Sequence, residues 1–350
     1  MAGRAKVFDV LLAGYFGFGN LGDELLAAAA VKNLGACGIP PEKISVLSNR
    51  PAESRMNLGI SSFDRWKITD IKRALDMSRC MFFAGGGLFQ DATSMRSCVY
   101  YWGLVWAASV RSVPVAAIGQ SVGPLAGSFS KFLTRNALRN CKYIAVRDDA
   151  SAEVVSSMGI SCDVMPDPVM SLETPENGGG EAVLINVRPF GGDGGKTAQA
   201  VLEAVRALDS GETEFFCVAM SEEDALLMEK LQRSGALPEC EITTPRTAGE
   251  FFGIAGRARA AVGMRLHFGM LSMLSGLEVA LSPYDPKVSS FARTWGLKLL
   301  KIGNIAENFD IIKLLTKSKF GDKKNFEKTR LLVFRQFKTA IDRMLGECDE

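Results

Sequence analysis

The feature that most constrains the fold is a regular alternation of short apolar runs with segments of helical periodicity, continued through most of the 350 residues. Such alternation predicts βα units around a parallel sheet, because strands buried on both faces are apolar throughout. In the first half, strands are predicted at 7–13, 44–47, 80–84, 113–118, 143–146 and 162–165. Helices are predicted between them, near 23–36, 70–78, 96–111, 129–140 and 149–158.

The segment 166–181, PDPVMSLETPENGGGE, interrupts this alternation, and its Pro, Gly and Asn content is typical of a linker. Afterwards strands are predicted at 182–187, 214–220, 258–264 and 277–282, and helices near 196–208, 222–233, 248–256 and 266–275. Because 350 residues exceed one ordinary core, we expect two Rossmann-like domains, 1–168 and 182–320, joined by a linker at 169–181.

The last segment predicts a basic amphipathic helix within 321–350. Its apolar residues recur at helical spacing and are Phe326, Val333, Phe337, Ile341 and Leu345. Two interpretations remain open for this helix. It closes the fold by packing across both domains, or its Lys and Arg side chains meet an anionic membrane surface.

Composition excludes some classes of function. A net charge of +2 gives no general electrostatic case for binding nucleic acid. Eight scattered cysteines without a C-x-x-C pair, and a single histidine, leave little for a zinc site and indicate reduced thiols. With no signal-peptide pattern and no apolar run of about 18 residues, we expect a soluble cytoplasmic protein.

The stretch LLAGYFGFGNLGDE contains a G-x-G-x-x-G string formed by Gly17, Gly19 and Gly22. A dinucleotide fingerprint also needs an acidic residue about 20 positions later, at the end of the second strand. The second predicted strand runs into LSNRP instead, where Arg50 would suit only a 2′-phosphate. We therefore favour a wall of a sugar-acceptor cleft, with Asn20 and Asp23 as its polar contacts, and a phosphorylated nicotinamide cofactor remains the alternative.

Glycine-rich segments also follow the next two long strands. GGGLFQD places Gly85, Gly86 and Gly87 after a buried strand and ends on Asp91, and IGQSVGP follows the strand after it. Ligands of parallel sheets bind outside the carboxyl ends of the strands. These segments therefore predict one extended cleft with glycine loops, and a strained turn without a ligand is the alternative.

Charged residues follow four further strands, and each has a structural alternative. Arg147 in VRDDAS and Arg188 in LINVRPF stand at matching strand ends, where an ordinary helix cap beside a surface arginine is equally compatible. The segment GMRLHF holds Arg265 beside His267, the only histidine of the chain. Arginine suits carboxylate or phosphate, and histidine suits proton transfer near neutrality. Lys287 in YDPKV either holds a phosphate or covers the surface.

Five segments, GYFGFGNLGDE, GGGLFQD, VRDDAS, GMRLHF and YDPKV, occur in this order between Gly14 and Val288. Together they resemble the polysaccharide pyruvyltransferase family, and most closely the bacterial enzymes that pyruvylate a secondary cell-wall polysaccharide needed for S-layer anchoring. The resemblance implies a GT-B-like arrangement of two Rossmann-like domains with an interdomain cleft. It also implies phosphoenolpyruvate as donor, a sugar as acceptor, no metal or nucleotide cofactor, and a donor site at Arg265 to His267.

On this basis His267 is the expected general acid of a ketal-forming transfer. The expected donor-binding residues are Arg265, Leu266, Arg147, Arg188 and Lys287. The expected acceptor-binding residues are Gly17, Asn20, Asp23, Gly86, Gly87 and Asp91. A lipid-linked oligosaccharide or wall-polysaccharide precursor at the inner face of the cell membrane is the expected partner. The alternatives are a nucleotide-sugar glycosyltransferase of the same fold and a non-catalytic sugar-binding or scaffold protein.

Overall fold

The computed structural model describes residues 6–91, 95–173, 180–189, 194–209, 211–301, 303–304, 307–308, 311 and 323–346. The chain divides into two units. The first unit comprises Met1–Phe18, Asp23–Leu172 and Lys324–Glu350. The second unit comprises Gly19–Gly22 and Glu173–Lys323. Each unit is built around one parallel sheet.

The sheet of the first unit has seven parallel strands in the order β3-β2-β1-β4-β5-β6-β7. They are β1 (Phe8–Ala13), β2 (Ile44–Ser48), β3 (Ser61–Asp64), β4 (Ser78–Phe89), β5 (Val115–Val122), β6 (Tyr143–Val146) and β7 (Asp163–Val164). Strands β2, β5 and β6 are buried throughout, as their apolar sequences predict. The chain reverses its direction across the sheet between β1 and β4, which is where doubly wound sheets bind ligands.

Helices connect these strands and cover the sheet. They are α1 (Leu21–Ala36), α2 (Pro51–Leu58), α3 (Ile68–Met77), α4 (Arg96–Ser109), α5 (Ser128–Arg139) and α6 (Asp149–Ser157). The aromatic rings of Phe83, Phe89 and Tyr101 meet edge-on or tilted in the core, which joins β4 to α4. Helix α2 starts at a proline and ends before Gly59 in the left-handed conformation, the usual signals for a helix start and stop.

The glycine triplet 85–87 lies inside β4, so the expectation of a glycine loop there is wrong. Gly86 pairs with Gln120 of β5, and the register shifts between Gly86 and Phe89. Gly85 and Gly86 have φ of 76° and 87°, which only glycine adopts readily. Pairing with β5 thus carries the strand through the two left-handed residues, and the irregularity in the pairing follows them.

The second unit repeats this design with six parallel strands in the order β10-β9-β8-β11-β12-β13. The strands are β8 (Ala182–Asn186), β9 (Phe215–Val218), β10 (Glu241–Thr243), β11 (Ala258–Gly263), β12 (Glu278–Leu281) and β13 (Lys298–Leu299). The helices are α7 (Gly194–Leu208), α8 (Glu222–Arg233), α9 (Ala248–Ala255), α10 (Leu266–Leu274) and α11 (Pro286–Trp295). Counted from its own start, this order is the same as that of the first six strands of the first unit.

The first residues of the expected linker at 169–181 belong to the first unit. Pro168–Ser171 forms a 3₁₀ turn capped by Asp167, whose carboxylate accepts from the Val169 amide at 3.0 Å. The Ser171 hydroxyl accepts from the Asn33 side-chain amide of α1 at 2.7 Å. The first unit therefore continues to Leu172, and residues 174–179 of the expected linker lie outside the described residues.

The terminal helix, α12 (Lys323–Leu345), is grouped with the first unit, although about 150 residues separate it from the rest of that unit. Its apolar face is buried through Val333, Phe337 and Ile341. The Arg343 guanidinium lies over the Tyr143 ring of β6, with its central carbon 4.8 Å from the ring centroid. Of the helices in the described ranges, none is long and apolar enough to cross a membrane.

Candidate functional site

His267 lies in the first turn of α10, directly beyond the carboxyl end of β11. Arg265 occupies the position before that helix, and its backbone N–H donates to the Asn186 side-chain oxygen at 3.0 Å. The Asn186 amide donates in turn to the Val218 carbonyl at 2.9 Å. Asn186 therefore ties together the carboxyl ends of three neighbouring strands and fixes the backbone that carries the histidine.

The Arg265 side chain forms a two-pronged ion pair with Asp224 of α8. Its Nε donates to Oδ2 at 2.6 Å and its Nη2 donates to Oδ1 at 2.7 Å, and Nη2 also donates to the Ser221 hydroxyl at 2.9 Å. Asp224 is fully buried, so this pair is held rigidly. The Asp224 carboxylate also balances much of the positive charge of Arg265, which the sequence analysis expected to bind the donor.

Asp224 and Asn186 are site residues that the sequence did not single out. Asp224 is the third of three acidic residues at the start of α8, a pattern typical of an ordinary helix start. Nothing local distinguishes it, because its partner lies 41 positions away. Asn186 did leave a signal: it is an amide at the end of an otherwise apolar strand.

Gly22 packs directly on the His267 imidazole within the second unit. A Cβ atom placed on Gly22 would lie 2.1 Å from Nδ1 of His267, far inside contact distance. Gly22 is held there by its neighbours, since the Leu21 amide donates to the Met220 carbonyl at 2.8 Å and the Gly22 amide donates to Asn20 Oδ1 at 3.3 Å. Asn20 and Gly22 thus join the histidine, whereas the sequence placed their loop with the acceptor.

The start of α10 suits an anionic group. The first N–H groups of a helix have no partner within the helix, and the helix dipole is positive at this end. Leu266 is buried, so any contribution to donor binding comes from its backbone N–H. An imidazole and a helix N-terminus therefore stand at one place, beside the Arg265–Asp224 pair.

Two more predicted donor residues lie at the ligand edge of the second sheet. Arg188 follows β8, and its Nη1 donates to the Tyr284 hydroxyl at 3.0 Å while its guanidinium carbon lies 4.7 Å from the Tyr284 ring centroid. Lys287 lies in the first turn of α11, and its Nζ forms an ion pair with Asp285 at 3.2 Å. Asp285 also caps α11 by accepting from the Lys287 amide at 3.0 Å.

Arg147, by contrast, belongs to the first unit, and its side chain is buried. Its Nη1 donates to Asp167 at 2.9 Å, and the two side chains are 5% and 3% exposed. Asp148 caps α6 through the Ser151 amide at 2.7 Å, as the structural alternative for VRDDAS anticipates. Arg147 is not the surface arginine of that alternative, because its charge is balanced inside the first unit.

Gly17 and Asp23, two of the predicted acceptor residues, lie in the first unit beside β2 and β4. The Gly17 amide donates to Glu24 Oε1 at 2.7 Å, and a Cβ on Gly17 would meet the Ser48 hydroxyl at 2.2 Å. A Cβ on Gly86 would lie 3.5 Å from Asp23 Oδ1. Gly17 therefore lies beside the end of β2, and Asp23 of α1 lies beside the glycine triplet of β4.

Asp91 holds the turn before α5. Its two carboxylate oxygens accept from the Gly127 amide at 2.8 Å and the Ala126 amide at 2.9 Å. These backbone amides, Gly127 first, hold the pKa of the Asp91 carboxyl below its usual range. Asp91 thus has a structural task in addition to its predicted acceptor role.

The predicted site residues fall into two groups by unit. His267, Arg265, Leu266, Arg188, Lys287 and Asn20 belong to the second unit. Arg147, Gly17, Asp23, Gly86, Gly87 and Asp91 belong to the first. Within the part of the chain that the structure describes, no three His, Cys, Asp or Glu side chains are grouped so as to hold a metal ion.

Two doubly wound units of this kind define the GT-B class, and solved structures share the fold. The UDP-GlcNAc 2-epimerase of Neisseria meningitidis matches with a TM-score of 0.59 at 12% identity, covering 97% of this chain and 100% of that one. The UDP-GlcNAc 2-epimerase of Methanocaldococcus jannaschii matches with a TM-score of 0.62 at 10% identity, covering 93% of this chain and 97% of that one. MurG of Acinetobacter baumannii matches with a TM-score of 0.50 at 12% identity, covering 97% of this chain and 100% of that one.

The family follows from the sequence itself. The model of the polysaccharide pyruvyl transferase family matches residues 20–286, which is most of the chain. The protein therefore belongs to the polysaccharide pyruvyl transferase family. A comparison with curated protein sequences finds no match.

Proposed function

We propose that this protein transfers a pyruvyl group from phosphoenolpyruvate to a sugar of a cell-wall polysaccharide precursor and forms a pyruvate ketal. The observation that carries the proposal is the position of the only histidine, in the first turn of α10 at the ligand edge of the second sheet. There a proton donor and an anion-binding helix terminus stand together, and phosphoenolpyruvate brings both an alkene to protonate and two anionic groups.

In the proposed reaction, His267 gives a proton to the methylene carbon of phosphoenolpyruvate, and the alkene pair forms the new C–H bond. A sugar hydroxyl attacks the resulting cationic C2 and returns its proton to His267. The C2–O bond to phosphate then breaks, a second hydroxyl of the same sugar closes the ketal, and its proton leaves with phosphate. One hydroxyl proton thus ends on the methyl group and the other on phosphate.

Several residues of the second unit support the charge of the donor in this proposal. Asp224 balances Arg265, so Arg265 acts with the amides of the first turn of α10 and does not act as a lone cation. Arg188 and Lys287 supply further positive charge at the same edge of the sheet. Arg147 remains a proposed donor contact, although its geometry is that of a buried ion pair.

The test replaces the histidine and measures phosphate release from phosphoenolpyruvate in the presence of a wall-glycan acceptor. His267→Ala should lower turnover by about 10² to 10⁴, the usual worth of acid–base catalysis, with an unchanged melting temperature. His267→Gln keeps the volume and hydrogen bonding of the side chain but cannot transfer the proton, so its turnover should fall by the same factor. Near-normal turnover in either variant would contradict the role of His267.

A nucleotide-sugar glycosyltransferase is the second candidate, because structures sharing the fold are described as bound to UDP-GlcNAc or UDP. The two candidates differ in the donor that they consume. Incubation with the same acceptor and either phosphoenolpyruvate or UDP-GlcNAc separates them: we expect phosphate release from the first and no UDP release from the second. UDP release alone would replace the proposal with this alternative.

We also propose a lipid-linked acceptor of the S-layer-anchoring type and a peripheral contact at the inner face of the cell membrane. The apolar face of α12 is buried, so such a contact relies on the Lys and Arg side chains of its other face. Binding to anionic vesicles should weaken as salt rises. Vesicle binding that is absent at low salt would remove the membrane contact from the proposal.

A further inference from the structure

Three aromatic rings, those of Tyr15, Phe18 and Trp66, form an exposed surface on the first unit that we call the aromatic face. The Tyr15 and Phe18 rings stack with centroids 3.9 Å apart and planes 7° apart. Trp66 stands edge-on to Phe18, at 6.4 Å and 86°. Tyr15 is 43% exposed and Trp66 is 58% exposed. The rings thus form a corner open to solvent.

A buried arginine lies behind the aromatic face. Arg65 is 3% exposed, and its guanidinium carbon lies 5.0 Å from the Phe18 ring centroid, 5.1 Å from Trp66 and 5.9 Å from Tyr15. It lies as close as 4.4 Å to the ring centroid of Tyr100, the neighbour of Trp66. The guanidinium therefore lies within the range of cation–π attraction of every ring of the aromatic face.

The polar contacts of Arg65 are made with neutral groups. Its Nη1 donates to the Gly14 carbonyl at 2.6 Å and its Nη2 to the Tyr101 hydroxyl at 3.4 Å. Its Nε is buried and has no acceptor among the described residues, nor does any carboxylate in those ranges form an ion pair with Arg65. A buried charge is usually paired. Ring faces surround this one instead.

Hydrogen bonds hold the exposed indole in place. Trp66 Nε1 donates to Asn49 Oδ1 at 2.7 Å, and Asn49 Nδ2 donates to the Gly17 carbonyl at 3.2 Å. The Tyr100 hydroxyl donates to the Arg65 carbonyl at 3.1 Å. Fixed aromatic rings lose little conformational entropy when they bind a partner, so an exposed but immobile ring corner is a preorganised binding surface.

We infer that the aromatic face binds a sugar ring of the acceptor glycan by stacking. A pyranose presents C–H groups on one face and hydroxyls at its edge, so an aromatic ring takes the C–H face by dispersion and release of water while polar neighbours take the hydroxyls. The Phe18–Trp66 corner provides such a ring, and Asn49 lies beside the indole N–H. A planar base prefers parallel walls, and a right-angled corner does not offer them.

The inference rests on the proposed function in taking a glycan as the ligand, and direct binding without donor tests it. Methyl glycosides of galactose, mannose and N-acetylglucosamine are titrated one by one, and saturation transfer from aromatic protein protons to sugar C–H protons is measured by NMR. We expect transfer to at least one glycoside, and binding about tenfold weaker in Trp66→Ala, the effect of losing one aromatic contact. Trp66→Phe, which keeps a ring, should retain most of the binding.

Trp106→Ala is the matched control, because Trp106 is 59% exposed on α4 of the same unit. It should bind like the unaltered protein. The inference is overturned if no glycoside shows transfer, or if the Trp66 and Trp106 variants bind alike. Uridine is titrated in the same way, and transfer to uridine that needs Trp66, without such transfer to any glycoside, also overturns it. Sugar binding that needs Trp66 without phosphate release from phosphoenolpyruvate would contradict the proposed function and leave this inference intact.

Discussion

Gly22 shows how a residue without a side chain can set the position of another residue, here the imidazole of His267. The need for glycine does not come from the backbone, because Gly22 lies in the ordinary helical start of α1. It comes from the close approach of the His267 ring. Gly35, near the other end of the same helix, has nothing within 4 Å of an added Cβ atom. The two glycines of one helix therefore differ only in what they touch.

Gly22→Ala should displace the His267 imidazole, since a Cβ atom 2.1 Å from Nδ1 forces the ring to move by more than an ångström. Misplacement on that scale costs about 10² in turnover. Steady-state phosphate release measures the loss. Gly35→Ala should leave turnover unchanged and raise the stability slightly, as Gly to Ala does in helices. Equal turnover in both variants would contradict the contact.

Asp167→Asn should destabilise the first unit because it leaves the Arg147 charge buried without its nearest partner. The expected loss is about 3 kcal/mol in the free energy of unfolding, measured by urea denaturation. Glu229→Gln is the control, because the Glu229–Arg233 pair on α8 is exposed at 45% and 79% and should contribute less than about 0.5 kcal/mol. A loss as small as that of the control would show that Arg147 does not depend on Asp167.

At the scale of elements, the glycine triplet of β4 shows where local signals mislead. Three consecutive glycines are typical of a loop, but Gly86 is paired with Gln120 of β5. The buried Gln120 amide also donates to the Gly85 carbonyl at 3.0 Å. Gly85 and Gly86 permit the irregular backbone, whereas Gly87 has no positive φ and nothing within 4 Å of an added Cβ atom.

Gly85→Ala should therefore lower the free energy of unfolding, whereas Gly87→Ala should not. A Cβ on Gly85 would lie 2.5 Å from a Leu26 methyl group at φ 76°, and the left-handed backbone alone costs about 1–2 kcal/mol. Gly87→Ala should change the free energy of unfolding by less than about 0.5 kcal/mol. Urea unfolding of the two variants in parallel decides this, and equal losses would contradict the left-handed backbone at Gly85.

Most of the strands and helices were predictable from the sequence, because apolar runs and helical periodicity are local signals. The helices α2 and α11 were not among those predicted. The short strands β3 (SSFD) and β10 (EIT) were not predictable either, because neighbouring strands hold them in place and three or four residues carry no periodicity. The site divides in the same way. His267 was predictable as the only histidine at a strand end, whereas the partners Asp224 and Gly22 depend on contacts between distant parts of the sequence.

At the scale of the whole molecule, α12 belongs to the first unit although the rest of that unit ends at Leu172. Phe337 is fully buried, and Leu331 of the same helix is 57% exposed. One face of the helix is therefore packed against the protein, and the helix is not an appendage. Its basic outer positions remain at the surface, where the proposed membrane contact would use them.

Phe337→Ala should lower the stability of the first unit by about 3–5 kcal/mol, the usual result of emptying a buried phenylalanine site. Tryptophan fluorescence in a Trp295→Phe background reports this unit alone, because Trp66, Trp102 and Trp106 all belong to it. Leu331→Ala should change the free energy of unfolding by less than about 0.5 kcal/mol. An unfolding midpoint unaffected by Phe337→Ala would mean that the first unit folds without α12.

The grouping of Gly19–Gly22 with the second unit sets the breakpoints for exchanging parts between family members. The chain passes from one unit to the other after residues 18, 22, 172 and 323. A fragment that begins at 173 lacks Gly22, the residue against which His267 packs, and a fragment that ends at 172 lacks α12. A chimera that transplants the second unit must therefore carry a four-residue graft near its N-terminus together with the contiguous stretch 173–323.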